Sequence, residues 1–138
     1  MQSSGLAGRP PVGPDFVELE SSKAFAETLK GVEAAIAAHG MAVFARIDHA
    51  QAAKAVGLSM PPTVVLLYGN PKGGTPMMLA NPRAALDLPL RVLVREEGAR
   101  VLVSFHPVAD MLVRAGVPAD LAAKLEPAQQ VIADWLKT

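Results

Sequence analysis

The run Thr63-Val64-Val65-Leu66-Leu67-Tyr68 passes directly into Gly69-Asn70-Pro71-Lys72-Gly73-Gly74-Thr75-Pro76-Met77-Met78, and this junction constrains the fold more than any other part of the chain. A continuous apolar run of this length, rich in β-branched residues, suits a central strand covered on both faces. The polar, Gly- and Pro-rich segment after it reads as a tight turn at the strand's end, the place where binding residues commonly gather.

Phosphate binding is the first chemistry to weigh there, because Gly69 and Gly74 match the outer glycines of a G-x-x-x-x-G-K-[ST] loop. The match fails at the next position, where Thr75 stands in place of the required Lys, and Pro71 and Pro76 remove two amide donors. Two readings remain open. The segment is a turn that shapes the sheet edge, or Asn70, Lys72 and the free amides of Gly73 to Thr75 hold an anionic group.

Around this junction the pattern alternates between helix and strand periods. Phe16, Val17 and Leu19 give a short strand, and Ser21 or Ser22 is placed to cap a helix in which Phe25, Leu29, Val32 and Ile36 share one face. Gly31 weakens the middle of that helix, His39 lies in its last turn, and Gly40 ends it. Met41 to Ile47 then reads as a strand with Met41, Val43, Ala45 and Ile47 on one side and Phe44 and Arg46 on the other. Asp48, with Gln51 three residues on, opens a short helix that ends near Gly57.

Beyond the junction, Met77 to Leu86 suits a helical turn or two broken at Asn81-Pro82. Leu90 to Arg95 and Arg100 to His106 form a hairpin about Glu96-Glu97-Gly98-Ala99. A short helix from Pro107 to Arg114 stops at Gly116. The last helix begins at Pro118 and is kinked at Pro127, while Leu121, Leu125, Ala128, Ile132 and Trp135 keep one apolar face. Strands and helices mix without the regular alternation of a doubly wound sheet, which predicts an α+β fold with a mainly antiparallel sheet.

The chain's 138 residues suit one core, so residues 15–138 are expected to form a single domain. Residues 1–14 carry three prolines, three glycines and one charge without apolar period, which predicts a flexible arm. Thirteen basic against thirteen acidic side chains leave no net charge to draw the chain to nucleic acid or anionic membrane, and this neutrality favours self-association. No Cys is present, which excludes disulfides, thiolate metal sites and a Cys nucleophile. No apolar run is long enough to span a bilayer and no signal segment is seen, so a cytoplasmic location is expected.

Three histidines carry the remaining chemistry. His39 suits a helix end. His49, in the first turn of a helix beside Asp48, is a candidate base or ligand, against the plainer reading of a solvated residue. His106 ends a strand at a sheet rim. Met60, Met77 and Met78 with His49 or His106 could ligate a soft metal or a haem, but Met is commonly a flexible core filler and no His pair stands at helical spacing, so no metal or cofactor is implied.

Arg46-Ile47-Asp48-His49-Ala50, Ala55-Val56-Gly57-Leu58, Pro61-Pro62-Thr63, Gly69-Asn70-Pro71-Lys72 with Thr75-Pro76-Met77-Met78, and Asp87-Leu88-Pro89-Leu90-Arg91-Val92-Leu93-Val94 together resemble the uncharacterised family known as domain of unknown function 302. The resemblance runs from Phe16 onward. It implies a small α+β domain of the TATA-binding-protein-like kind, with a curved antiparallel sheet against a long helix and a tendency to dimerise, and it implies no reaction. Members are similar in carrying Tyr-Asn-Asp-Pro after the second hairpin strand, where this chain has Phe105-His106-Pro107.

Three functions are therefore carried forward. The first is a homodimeric domain binding a small ligand in a pocket rimmed by His49, Asn70, Lys72, Thr75 and Met78. The second is an enzyme with His49 as general base and Lys72 with loop amides stabilising an anion. The third is a structural or partner-binding module whose 68–78 segment is an interface.

Overall fold

A computed structural model of the chain describes residues 16–138, so the expected flexible arm lies outside the described residues. The elements are β1 (Val17–Ser21), α1 (Phe25–Ala38), β2 (Ala42–Asp48), α2 (His49–Ala55), β3 (Thr63–Gly69) and α3 (Pro71–Ala80). There follow a 3₁₀ turn (Pro82–Asp87), β4 (Leu90–Glu97), β5 (Arg100–Phe105), α4 (Val108–Arg114), α5 (Ala119–Ala122), a second 3₁₀ turn (Ala123–Leu125) and α6 (Glu126–Leu136). The five strands form one open antiparallel sheet in the order β1-β5-β4-β3-β2. The α+β expectation holds.

From edge strand β1 the chain crosses the sheet through α1 to the far edge at β2, then meanders back through β3, β4 and β5. Each turn of the meander has a local cause. Gly98, at φ 60°, takes the left-handed conformation that starts the two-residue turn between paired Glu97 and Arg100. At the end of α1, Gly40 takes φ 75°, and Nδ1 of His39 lies 2.9 Å from the Ala35 carbonyl oxygen. Asp48 Oδ1 accepts from the Gln51 amide at 2.9 Å and so caps α2 as expected.

The helices pack on one face of the sheet. Leu29, Val32 and Ile36 of α1, Val108 and Leu112 of α4 and Ile132 of α6 join Val64, Leu66, Tyr68, Val92, Val94 and Val103 in one buried cluster. The apolar stripes foreseen along α1 and the C-terminal segment are therefore real. Gln129 of α6 is buried within this layer, accepting from the Val108 amide at 3.0 Å and donating to the His106 carbonyl at 2.7 Å. One side chain thus serves the first turn of α4, whose amides lack partners inside the helix.

Five expectations are corrected. The cap of α1 is Ala24 rather than Ser21 or Ser22; Ser21 Oγ instead lies 2.7 Å from Thr28 Oγ1 in a buried pair. The middle strand is β4 rather than β3. Only one face of β3 is covered, since Val65 and Leu67 remain partly exposed beside Leu93 on the second face and lie outside the buried cluster. In β2 the register shifts between Val43 and Ala45, so Val43 pairs with Tyr68 on the helix side while Ala45 and Ile47 turn to the second face. Arg46 then faces α1 and ion-pairs with Glu33. A bulge of this kind reverses the alternation on one side of itself, which no period count over MAVFARI reveals. Finally, the C-terminal segment is not one kinked helix: it passes through a 3₁₀ turn, and Pro127 sits in the first turn of α6, where its missing amide costs nothing.

Gly31 is more than a weak point of α1. A Cβ built there would fall inside the indole of Trp135 on α6, so the two helices approach at this position because it has no side chain. Lys23 closes the same corner, with Nζ 4.9 Å from the indole centroid and 3.0 Å from the Thr138 carbonyl oxygen.

Candidate functional site

The 68–78 segment is not a loop. Tyr68 and Gly69 complete β3, Asn70 is a cap, and Pro71 opens α3, which continues to Ala80 with Pro76 inside it. Asn70 Oδ1 accepts from the Lys72 amide at 2.9 Å, the Asn70 carbonyl accepts from Gly73 and Gly74 at 2.9 and 3.0 Å, and Asn70 Nδ2 donates to the Gly40 carbonyl at 3.0 Å. The amides that an anion would need are thereby used by the helix itself. The anion-cradle reading of Asn70, Lys72 and the Gly73–Thr75 amides is corrected accordingly. Lys72 points to solvent on the exposed outer side of the first turn.

A cavity of about 250 Å³ opens where β3 ends, between α3, the start of β4 and the start of α6. Tyr68 and Leu90 line it from the sheet, Met41 and Phe44 from the β2 side, and Met78 and Leu125 from the helices. Gly73 and Gly74 line it too, and their missing side chains keep it open: a Cβ on Gly73 would meet Leu125 at 3.0 Å and one on Gly74 would meet Leu88 at 3.8 Å. No residue of the wall carries a charge. The wall is mainly apolar, and the volume falls just below the usual range of about 300–1,000 Å³ for small-molecule clefts.

Asn70, Thr75 and Met78 lie in this wall, whereas His49 and Lys72 do not. His49 follows Asp48, which pairs with Val64, while Gly69 pairs with Ala42 at the other end of the same ladder. The intervening strand is about 17 Å long at the usual rise per residue, so His49 and the start of α3 lie at opposite ends of the sheet. A general base at His49 cannot serve chemistry beside Lys72. His106 is exposed at the end of β5, and Met77 is buried in the core, so the methionines and histidines do not gather into a ligand set. Among the described residues there is no group of three His, Asp or Glu side chains that could hold a metal ion.

Sequence reasoning missed Phe44, Tyr68 and the two glycines as wall residues. Phe44 was hidden by the bulge. Tyr68 is fully buried, and its hydroxyl has no hydrogen-bond partner among the described residues. Burial pushes its pKa well above the ordinary phenol value, so the group stays protonated.

Residues 17–137 match the profile of the family described as Domain of unknown function DUF302. The chain belongs to this family. Among solved structures, the crystal structure of an uncharacterized conserved DUF302 protein from Bacillus stearothermophilus shares the fold, with a TM-score of 0.79, 19% identity, and coverage of 91% of this chain and 98% of that one. Among curated proteins, the chain is similar to Fluoride-specific ion channel FluC 1 of Brucella suis biovar 1 (strain 1330), at 39% identity over 112 residues. The match takes in 79% of this chain and 44% of the channel. FluC 1 of Brucella abortus biovar 1 (strain 9-941) gives the same identity over 42% of its length. The DUF302 chain thus spans less than half of the curated relatives it matches. Among the described residues no helix is long and apolar enough to cross a membrane.

Proposed function

We propose that this DUF302 domain binds a small, mainly apolar molecule in the cavity at the end of β3. The observation that carries this reading is the combination of an open, uncharged cavity with a helix that keeps glycines at the two positions facing it. Each glycine costs the helix about 0.5–1 kcal/mol relative to Ala, a cost that has a purpose if the space is to be occupied. The fluoride-channel activity named for the relatives is not carried over, since the cavity wall offers no cation to an anion.

Gly74 is the position for the test. Gly74→Ala meets only ordinary contact at Leu88 and is expected to raise stability by about 0.5–1 kcal/mol, measured by urea unfolding. Gly74→Leu places a side chain in the cavity. A thermal-shift screen of uncharged aromatic and alicyclic compounds should give hits on the wild type that disappear in Gly74→Leu. Hits that persist unchanged in that variant would place binding elsewhere.

A homodimer is the second reading, favoured by the second face of the sheet. Ile47, Val65, Leu67 and Leu93 form an apolar centre there with no helix over it among the described residues, and Ile47 is 41% exposed. Beside it, Arg95 pairs with Glu18 and Glu97, and Arg100 with Glu20. Light scattering on the eluting protein should give twice the chain mass, and Leu67→Glu should return it to one. A monomeric wild type would end this reading.

A further inference from the structure

Phe44 is the wall residue whose position the pairing of the sheet does not explain. In β2, Val43 pairs with Tyr68 and Ala45 with Leu67, so Phe44 is the extra residue of the bulge and has no paired residue on β3. A bulge re-aims the side chain it carries, and here the ring comes to lie over the end of β3. Its Cε2 stands 3.8 Å from the place a Cβ on Gly69 would take. Gly69 and Phe44 both line the cavity, and Phe44 is 51% exposed, so an accessible aromatic ring forms part of the wall. Met41 and Met78, both half-buried, line the same space. A large ring left bare at a cavity forgoes the burial that would stabilise it.

We propose that the cavity takes small molecules carrying a planar aromatic ring in preference to saturated rings of the same size, with that ring packed against Phe44. The inference rests on the ligand-binding reading above and adds the chemical class. Size sets the first limit. An apolar cavity of about 150 Å³ holds one benzene ring, so a cavity of about 250 Å³ has room for about ten non-hydrogen atoms. An aromatic ring of that size can pack offset or edge-on against Phe44, a gain beyond the area it buries that a saturated ring does not make. Met41 and Met78 act in the same direction, since a flexible thioether packs favourably at a ring edge.

3-Phenylpropan-1-ol and 3-cyclohexylpropan-1-ol make the test, since both are uncharged, have the same number of non-hydrogen atoms and differ only in the ring. Transfer out of water favours the cyclohexyl compound, whose extra hydrogens enlarge its apolar surface, so a preference for phenyl reports the wall rather than hydrophobicity. Both are titrated calorimetrically into the wild type, Phe44→Leu and Gly74→Leu, and the Tm of each unliganded protein is recorded to show that it folds. The phenyl compound is expected to bind the wild type about fivefold more tightly. That preference should fall to within about twofold in Phe44→Leu, and neither compound should bind Gly74→Leu. Equal binding to the wild type, tighter binding of the cyclohexyl compound, or a preference undiminished in Phe44→Leu overturns the aromatic selection while leaving the cavity as a binding site. Binding that persists in Gly74→Leu, or no binding of either compound to the wild type, overturns the inference together with the reading beneath it. Failure of both compounds, with a dimer that Phe44→Leu turns monomeric, would assign the ring to a second copy of the chain instead.

Discussion

Gly31→Ala is expected to lower stability by about 2 kcal/mol or more, although the same change in an exposed helix would gain about 1 kcal/mol from helix propensity. The methyl group would occupy the space now held by the Trp135 ring, so either α1 and α6 move apart or the indole leaves its contact. Both outcomes disturb the layer that holds Ile36 and Ile132. A loss of that size corresponds to a fall in Tm of about 5–15 °C for a chain of this length. Equilibrium unfolding of Gly31→Ala, Trp135→Ala and the double variant measures the effect and its cause together. The double variant should be much less unstable than the sum of the two single changes, because removing the indole makes room for the methyl. Additive losses would show that the clash is not with Trp135.

Gln129→Ala has the next largest expected effect, about 2–4 kcal/mol of lost stability, because both amide atoms of the buried Gln129 are hydrogen-bonded to backbone groups. The Val108 amide would lose its acceptor at the start of α4, and the His106 carbonyl would lose its donor. Gln129→Glu separates the two bonds. Its carboxylate can still accept from Val108 but cannot donate to His106, and it takes a buried position. Burial holds the introduced carboxyl above its unfolded pKa, so the stability it contributes is present at acid pH and is lost as pH rises through the folded value. Gln129→Glu should thus be closer to the wild type at pH 4 than at pH 7. Denaturant unfolding at the two pH values checks this, and a pH-independent loss would mean that the donor bond to His106 carries no weight.

Much of the fold was legible because it rests on local chemistry. The stripe Leu29-Val32-Ile36, the Asp48 cap, the Gly40 and Gly116 stops and the Gly98 hairpin are each set by residues within one or two turns of themselves. The start of α3 rests on equally local chemistry. Asn70-Pro71 and Asn81-Pro82 are the same device, an Asn whose Oδ1 accepts from the second residue on, followed by Pro at the first helical position. Glycines and prolines taken as turn signals hid that cap, because Gly73 and Gly74 serve the shape of a wall rather than the propensity of their own helix. Thr75 and Met78 were reached from their nearness to the junction, whereas His49 was linked to it only by proximity in sequence and proved to be a sheet length away.

By itself the sequence determined where most strands and helices form and which apolar face α1 and the C-terminal segment bury, since periodicity and capping act over a few residues. The tertiary structure alone decided which strand is central, which sheet face is left without helices among the described residues, that Gly31 is a helix crossing, and that Tyr68 ends buried beside an open cavity. Those facts depend on residues far apart in the chain meeting at defined distances. A bulge at Phe44 or a missing side chain at Gly74 changes the wall without leaving any mark on the local pattern.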